Sequence, residues 1–196
     1  MSYSLVFNIS SHKSDIGKNQ FAILANKAKT GDNGAFGEIY NIFFQKIFRF
    51  IFYRVGHKEN AEDLTEEVFL KAYGKLESLS DTNSLEPWLY QIARNKVIDY
   101  YREKKTLVDL ASLENTLEYE SNVIDVLNLE SQQKIMLRFL KQLPEDQQQV
   151  LKMKFLEDLD NEVISETLGK TEGAIRVIQH RALTNLKELI AKNSNS

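Results

Sequence analysis

The sequence predicts an all-α protein of two small helical domains joined by an acidic flexible linker, and three observations predict it. Apolar residues recur at steps of three and four through both halves of the chain. From about Thr106 to Ser131 that periodicity weakens while Asp109, Glu114, Glu118, Glu120, Asp125 and Glu130 accumulate. No alternating run bounded by turn residues marks a strand hairpin.

Taken in order, Phe36, Tyr40, Phe43, Ile47, Ile51 and Val55 form the stripe of a first core helix, which Phe44, Phe48 and Phe52 widen. A second helix is expected after Gly56, with Asn60 as its N-cap and Ala61, Leu64, Val68, Ala72 and Leu76 on its buried face. The polar turn ESLSDTNS follows. Leu85, Leu89, Ile92, Ala93, Val97 and Tyr100 then line a third helix, with Pro87 in its first turn, where no backbone N–H is needed. Trp88 is read as core. Beyond the linker, Leu137, Leu140 and Leu143 lead to Pro144, and Val150, Leu151, Phe155 and Leu159 continue a second helical unit. The expected partition is an unassigned N-terminal extension at 1–20, a first unit at 21–105, the linker at 106–131, a second unit at 132–191 and a tail at 192–196.

Composition removes several function classes. Among 196 residues there is no cysteine, which excludes disulfides and thiolate metal sites, and His12, His57 and His180 are too scattered to form a local metal site. No apolar run approaches the roughly 18 residues of a spanning helix, and the N-terminus lacks a basic start with a sustained apolar stretch, so a cytoplasmic protein without membrane insertion is expected. No nucleophile–base–acid set and no phosphate-binding Gly loop is present, so neither a catalytic residue nor a cofactor is expected.

The net charge of −3 conceals segregation. Arg94, Lys96, Arg102, Lys104 and Lys105 cluster in the third helix, and Lys170, Arg176, Arg181, Lys187 and Lys192 near the C-terminus. In VISETLGKTEGAIRVI, one short helix stops at Gly169 and another restarts near Thr171, the pattern of a helix-turn-helix. Ser165 is small enough for a close crossing, and Gly169 can adopt a left-handed turn. Arg176, His180 and Arg181 project from the second helix, where they can reach phosphates or guanine edges; a plain helical hairpin with a solvated basic face is the alternative. Gln91, Arg94, Asn95 and Arg102, with Tyr100 and Tyr101, supply the cations and rings that suit single-stranded DNA. Glu62, Asp63, Glu66 and Glu67 form an exposed acidic face. The helix dipole accounts for Glu62 but not for four carboxylates, so a basic partner surface is expected there.

FRFIFYRVGHKENAEDLTEEVFLKAYGKL followed by PWLYQIARNKVIDYYR resembles region 2 of the sigma-70 superfamily, and LPEDQQQVLKMKFLEDL with the helix-turn-helix resembles region 4. There is no room between them for a middle domain, which resembles the extracytoplasmic-function group. The resemblance implies a promoter-recognition subunit whose partners are core RNA polymerase, through its beta-prime clamp helices and beta flap, and promoter DNA; an anti-sigma protein is a further partner the family allows. It implies that Asp63, Leu64, Glu66 and Glu67 dock on the clamp helices. It assigns Ser80, Asp81, Thr82, Asn83 and Ser84, with Arg94, Asn95, Lys96 and Arg102, to the minus-10 element. Thr171, Glu172, Gly173, Ala174, Arg176, Val177, His180 and Arg181 match the minus-35 readers. Three positions depart from the family pattern: Glu66 where Gln is common, Ser165 where Ala is usual, and Val177 where Ser often contacts phosphate. Only the last puts a contact in doubt. The rival reading is a helix-turn-helix transcription regulator with an unrelated helical N-terminal sensor; it leaves PWLYQIARNKVIDYYR and the acidic face unexplained.

Overall fold

The structure is a computed structural model that describes residues 14–108 and 138–194, with side chains placed for 19–104 and 138–193. Residues 106–108 of the expected linker are helical, and the rest of it, with 1–13 and 132–137, lies outside the described residues. Among these, all regular structure is helical: α1 (Ser14–Lys29), α2 (Asn33–Val55), α3 (Lys58–Lys75) and α4 (Leu85–Val108) in the first unit, α5 (Glu145–Leu151), α6 (Asn161–Leu168) and α7 (Glu172–Ser194) in the second.

α2 starts where Asp32 Oδ1 accepts the Ala35 N–H at 3.0 Å, and ends at Gly56, whose φ of 78° and N–H bond to Phe52 O close the last turn. Its apolar surface is wider than the expected stripe: Ile39, Phe43, Ile47, Phe50, Ile51, Phe52 and Val55 are all buried. Three neighbours pack on it, each through an aromatic pair in edge-to-face geometry. Phe21 of α1 meets Phe43 at 4.8 Å, Phe69 of α3 meets Tyr40 at 4.8 Å, and Tyr90 of α4 meets Phe50 at 5.2 Å. α1 begins at Ser14, so it extends back through residues that the sequence leaves unassigned.

α3 starts earlier than its sequence implies. His57 occupies the N-cap without a side-chain bond, and Asn60 lies inside the first turn, where its Nδ2 donates to Tyr100 Oη at 3.1 Å. The expected cap is thus a bridge to α4. Its preference for capping is overridden because Gly56 stops α2 so sharply that the chain is already turned at His57. Pro87 is buried in the first turn of α4, and Trp88 packs half-buried against the core.

In the second unit, Pro144 precedes α5, which is followed by a π-helical turn at Lys152–Leu156, where Glu157 N–H reaches Lys152 O at 3.1 Å. α6 carries Val163, Ile164, Ser165 and Thr167 inward and stops at Gly169, whose φ is 64°. Thr171 Oγ1 accepts the Ala174 N–H at 3.2 Å and so caps α7. Ile175, Ala182 and Leu186 of α7 complete this core, while Gln179 Nε2 donates to Asn161 Oδ1 at 2.8 Å and pins α7 to the start of α6. Ser165 is buried and folds its hydroxyl onto Glu162 O, which keeps the helix crossing close.

The two units touch. α4 lies along α6, so the domains that the sequence joins by a flexible linker are packed against each other. The burial of Phe43 sets the strength of the first core. Phe43→Ala removes a ring with no exposed surface and its partner contact with Phe21, and should cost about 3–5 kcal/mol in urea unfolding. A loss below about 1 kcal/mol would show that α2 is not the packing centre.

Candidate polymerase and nucleic-acid interfaces

The acidic residues of α3 divide into paired and unpaired. Glu62 sits 3.7 Å from Lys58, and Glu67 accepts a hydrogen bond from Lys96 of α4. Asp63 and Glu66 are exposed, with no cation beside them among the described residues. Leu64, which its period places on the buried face and the resemblance adds to the docking set, is only 9% exposed and packs into the core, beneath the carboxylates. The sequence reading misses Leu70, which is 73% exposed one helical step beyond Glu66, and Tyr73 continues the line at 55%. Steps of three and four put Asp63, Glu66, Leu70 and Tyr73 on a single strip. The signal was present as an apolar residue off the buried face of α3.

The 80–84 loop is held from two sides. Asp81 Oδ1 accepts both the backbone N–H and the side-chain amide of Asn83, at 3.0 and 2.9 Å, and these bonds lower the Asp81 carboxyl below its usual range. From α1, Asn26 donates to Thr82 Oγ1 at 3.1 Å and Lys29 Nζ to Leu79 O at 2.6 Å. Ser80, Asp81 and Asn83 remain exposed, while Thr82 and Ser84 are half-buried.

The basic residues of α4 do not share one face. At about 100° per residue, Arg94 and Lys96 point to opposite sides with Asn95 between them. Lys96 turns to Glu67, Arg94 turns toward the second unit, and Asn95 is exposed with no side-chain partner among the described residues. Arg102 is exposed and holds Asp99 at 3.0 Å. Asn95 and Arg102 are therefore the pair left facing outward, two helical turns apart.

On α7, Arg176, Val177, His180 and Arg181 form a continuous exposed face, with Val177 50% exposed. Arg176 is held at 2.8 Å by Glu172, one turn earlier. Gly173 is exposed and Ala174 half-buried, and the Thr171 hydroxyl is engaged as the cap. No group of three His, Asp or Glu side chains among the described residues is placed to hold a metal ion, and no described helix is long and apolar enough to cross a membrane.

Between the units lies a cleft of about 480 Å³, walled by Arg54, Arg94 and Tyr101 on one side and Gln148, Lys152 and Leu168 on the other. Arg54, in the last turn of α2, stacks on Phe50 at 3.5 Å and donates from Nη1 to Phe50 O at 2.6 Å and to Glu157 Oε1 at 2.7 Å. Gln91 Nε2 donates to Glu166 O at 2.8 Å. Burial, with Arg54 nearby, pushes the Lys152 amine down to about 8. Burial likewise pushes the Tyr90 hydroxyl well above its ordinary range, and its Oη has no hydrogen-bond partner.

With that geometry in hand, comparison with known proteins is decisive. The model of Sigma-70 region 2 matches residues 39–106 and that of Sigma-70 region 4 matches residues 139–188. The chain belongs to the sigma-70 family. Its relatives place it in the extracytoplasmic-function (ECF) branch. It is 31% identical over 170 residues to the ECF RNA polymerase sigma factor BldN of Streptomyces coelicolor, covering 85% of this chain and 64% of that protein. It is 37% identical over 79 residues to the ECF RNA polymerase sigma factor SigW of Bacillus subtilis, covering 40% of this chain and 42% of the relative. The RNA polymerase sigma factor YlaC of Bacillus subtilis is 28% identical over 159 residues, 80% of this chain and 92% of that one. The match thus spans less than two thirds of BldN and under half of SigW. Among solved structures, CnrH in complex with the cytosolic domain of CnrY superposes with a TM-score of 0.65 at 20% identity, over 88% of this chain and 98% of that chain. The sigma factor RpoE in complex with the anti-sigma factor NepR from Bartonella quintana gives 0.61 at 19%, over 80% and 96%. These two likenesses establish the fold. With residues 39–106 matched to region 2, the rival of an unrelated N-terminal sensor is not favoured.

The depressed Lys152 amine carries a stability consequence. Between about pH 8 and the ordinary lysine value of 10.5, the unfolded chain holds a proton that the folded chain lacks, so stability rises with pH across that window. Above about pH 10 the raised Tyr90 hydroxyl opposes the trend. Urea unfolding at pH 9.5 should therefore show more stability than at pH 7.5, by on the order of 1 kcal/mol, and Lys152→Met should abolish the difference. An equal difference in the variant would assign it to another group.

Proposed function

We propose that the chain is a promoter-recognition subunit: it binds core RNA polymerase, carries it to promoter DNA and assists strand opening, with no catalytic group or cofactor of its own, in the cytoplasm where the polymerase works. The observation that carries this reading is that one chain presents three separate exposed surfaces, each chemically suited to one of the tasks. The strip Asp63, Glu66, Leu70 and Tyr73 on α3 offers carboxylates beside an apolar anchor, which suits a basic, partly apolar partner such as the clamp helices. The α7 face, with Arg176, His180 and Arg181, suits the major groove of closed duplex at the minus-35 element. Asn95 and Arg102, beside the prearranged 80–84 loop, suit an unstacked base and its backbone at the minus-10 element.

Val177 presents an apolar surface where a phosphate contact would need a donor, so the phosphate contacts on this helix fall to its arginines. Lys96 must leave Glu67 before it can meet DNA. Family membership supports a contact of the second unit with the beta flap, and an anti-sigma protein as a further partner.

Asp63→Lys with Glu66→Lys should weaken binding to core polymerase at least tenfold while leaving the melting transition within about 1 kcal/mol, because exposed charges contribute little to stability. Unchanged affinity would remove the strip from the docking surface. The two DNA surfaces should fail at different steps. With holoenzyme, Arg176→Ala should weaken closed-complex binding by about 1–3 kcal/mol and flatten its salt dependence. Asn95→Ala should spare the closed complex and lower both permanganate reactivity of unpaired thymines and affinity for a premelted bubble. Wild-type affinity for the bubble would make Asn95 a structural residue of α4.

A further inference from the structure

The exposed face of α7 is apolar along its centre and cationic along its flanks. Ile175, Ala182 and Leu186 are buried and mark the side of α7 that faces the core. At about 100° per residue, the direction straight away from them is the line of Gly173, Val177 and Thr184, with Val177 within about 20° of it. Gly173 has no side chain to offer, and Thr184 Oγ1 is turned back to donate to His180 O at 3.0 Å. Val177, 50% exposed, is therefore the foremost side chain on that line, and it carries no hydrogen-bonding group. Arg176 and His180 flank it on one side and Arg181 on the other, all exposed.

Such a face sorts the contacts that duplex DNA can make. Long cations at its edges can reach the phosphates that border a groove, while the residue at its centre is carried toward the base edges. Most of what those edges present in the major groove is a donor or an acceptor. A valine would strip such groups of water without replacing the lost hydrogen bonds. The C5-methyl of thymine is the apolar group exposed there, and cytosine has only a hydrogen at the same position. Where the family's serine offers a hydroxyl, Val177 offers two methyl groups, and a methyl-bearing base is what they fit.

We infer that Val177 is a specificity-determining residue of the second unit, which packs against the C5-methyl of one thymine in the minus-35 element and so selects that base pair. The inference rests on the promoter-recognition reading above, in which α7 meets closed duplex. It adds a base-reading group of a kind the arginines do not supply, since they recognise acceptors and Val177 recognises shape. Because no charge takes part, the preference holds at high salt, where the phosphate contacts of Arg176 and Arg181 weaken.

Holoenzyme formed with the full chain serves as the probe, first to enrich duplexes from a randomised double-stranded library. Each thymine of the enriched upstream element is then replaced in turn by deoxyuridine, which removes the methyl group and changes no hydrogen bond. One replacement should lower affinity roughly three- to tenfold, the scale of one methyl group leaving an apolar contact, and by the same factor at low and high salt. Val177→Ser should bind the thymine and uracil forms of that site alike; the position is exposed, so the fold is kept. A uracil effect that persists unchanged in Val177→Ser gives the methyl group to another residue and overturns the inference. An enriched element that lacks thymine, or is indifferent to uracil at every thymine, overturns it equally while leaving promoter recognition standing. Holoenzyme that forms but enriches no upstream element counts against the promoter reading itself and takes this inference with it.

Discussion

The apolar surface of α2 is the template that α1, α3 and α4 share, and each meets it through an aromatic of its own. Tyr40, Phe43 and Phe50 follow one another along one face of α2, and edge-to-face contacts there hold a neighbour with more directional preference than aliphatic packing does. The surfaces proposed for the first unit are displayed at one remove from this surface. The acidic strip of α3 faces outward because Leu64, Val68 and Phe69 face in, and the 80–84 loop is steadied by α1. The last turn of α2 carries Arg54, so the same helix that organises the first unit also reaches the second.

Polar groups follow a different logic from the core. On the surface, Glu67 and Lys96 tie α3 to α4 at a place where water can replace either partner at little cost. Between the units, Arg54 and Glu157 meet where water cannot, and two neighbouring oxygens are left without partners. The first pair adjusts easily. The second is buried and directional, so neither ion can shift without losing its partner.

Much of this was legible in the sequence because local rules were obeyed. The periodicity from Phe36 to Val55 describes α2, Gly169 takes the left-handed turn its position in VISETLGKTEG requires, and Ala174 N–H finds Thr171 as its cap. Where the reading missed, a competing local or long-range partner decided the outcome. Asn60 has the chemistry of a cap, but Tyr100 lies 40 residues away and supplies a better use for its amide. Leu64 sits among carboxylates in sequence, and the period that puts it on the buried face is the rule the structure follows. Arg94, Asn95 and Lys96 are adjacent in the chain, and adjacency on a helix separates directions by about 100° each. The contact between units left only a faint trace: Arg54 is a cation at the end of the apolar run FRFIFYRV, with no acidic residue one turn away to satisfy it.

The π-helical turn at Lys152–Leu156 has a consequence for the ancestry of the chain. Its hydrogen bonds span five residues where an α-helix spans four, so it stores one residue more than the path from α5 onward needs. Removing any one residue there would let the turn relax to α-helix while both flanks kept their places. An alignment of related chains should therefore tolerate a one-residue gap at 152–156, and would misplace Glu157 if it insisted on ungapped register through that turn.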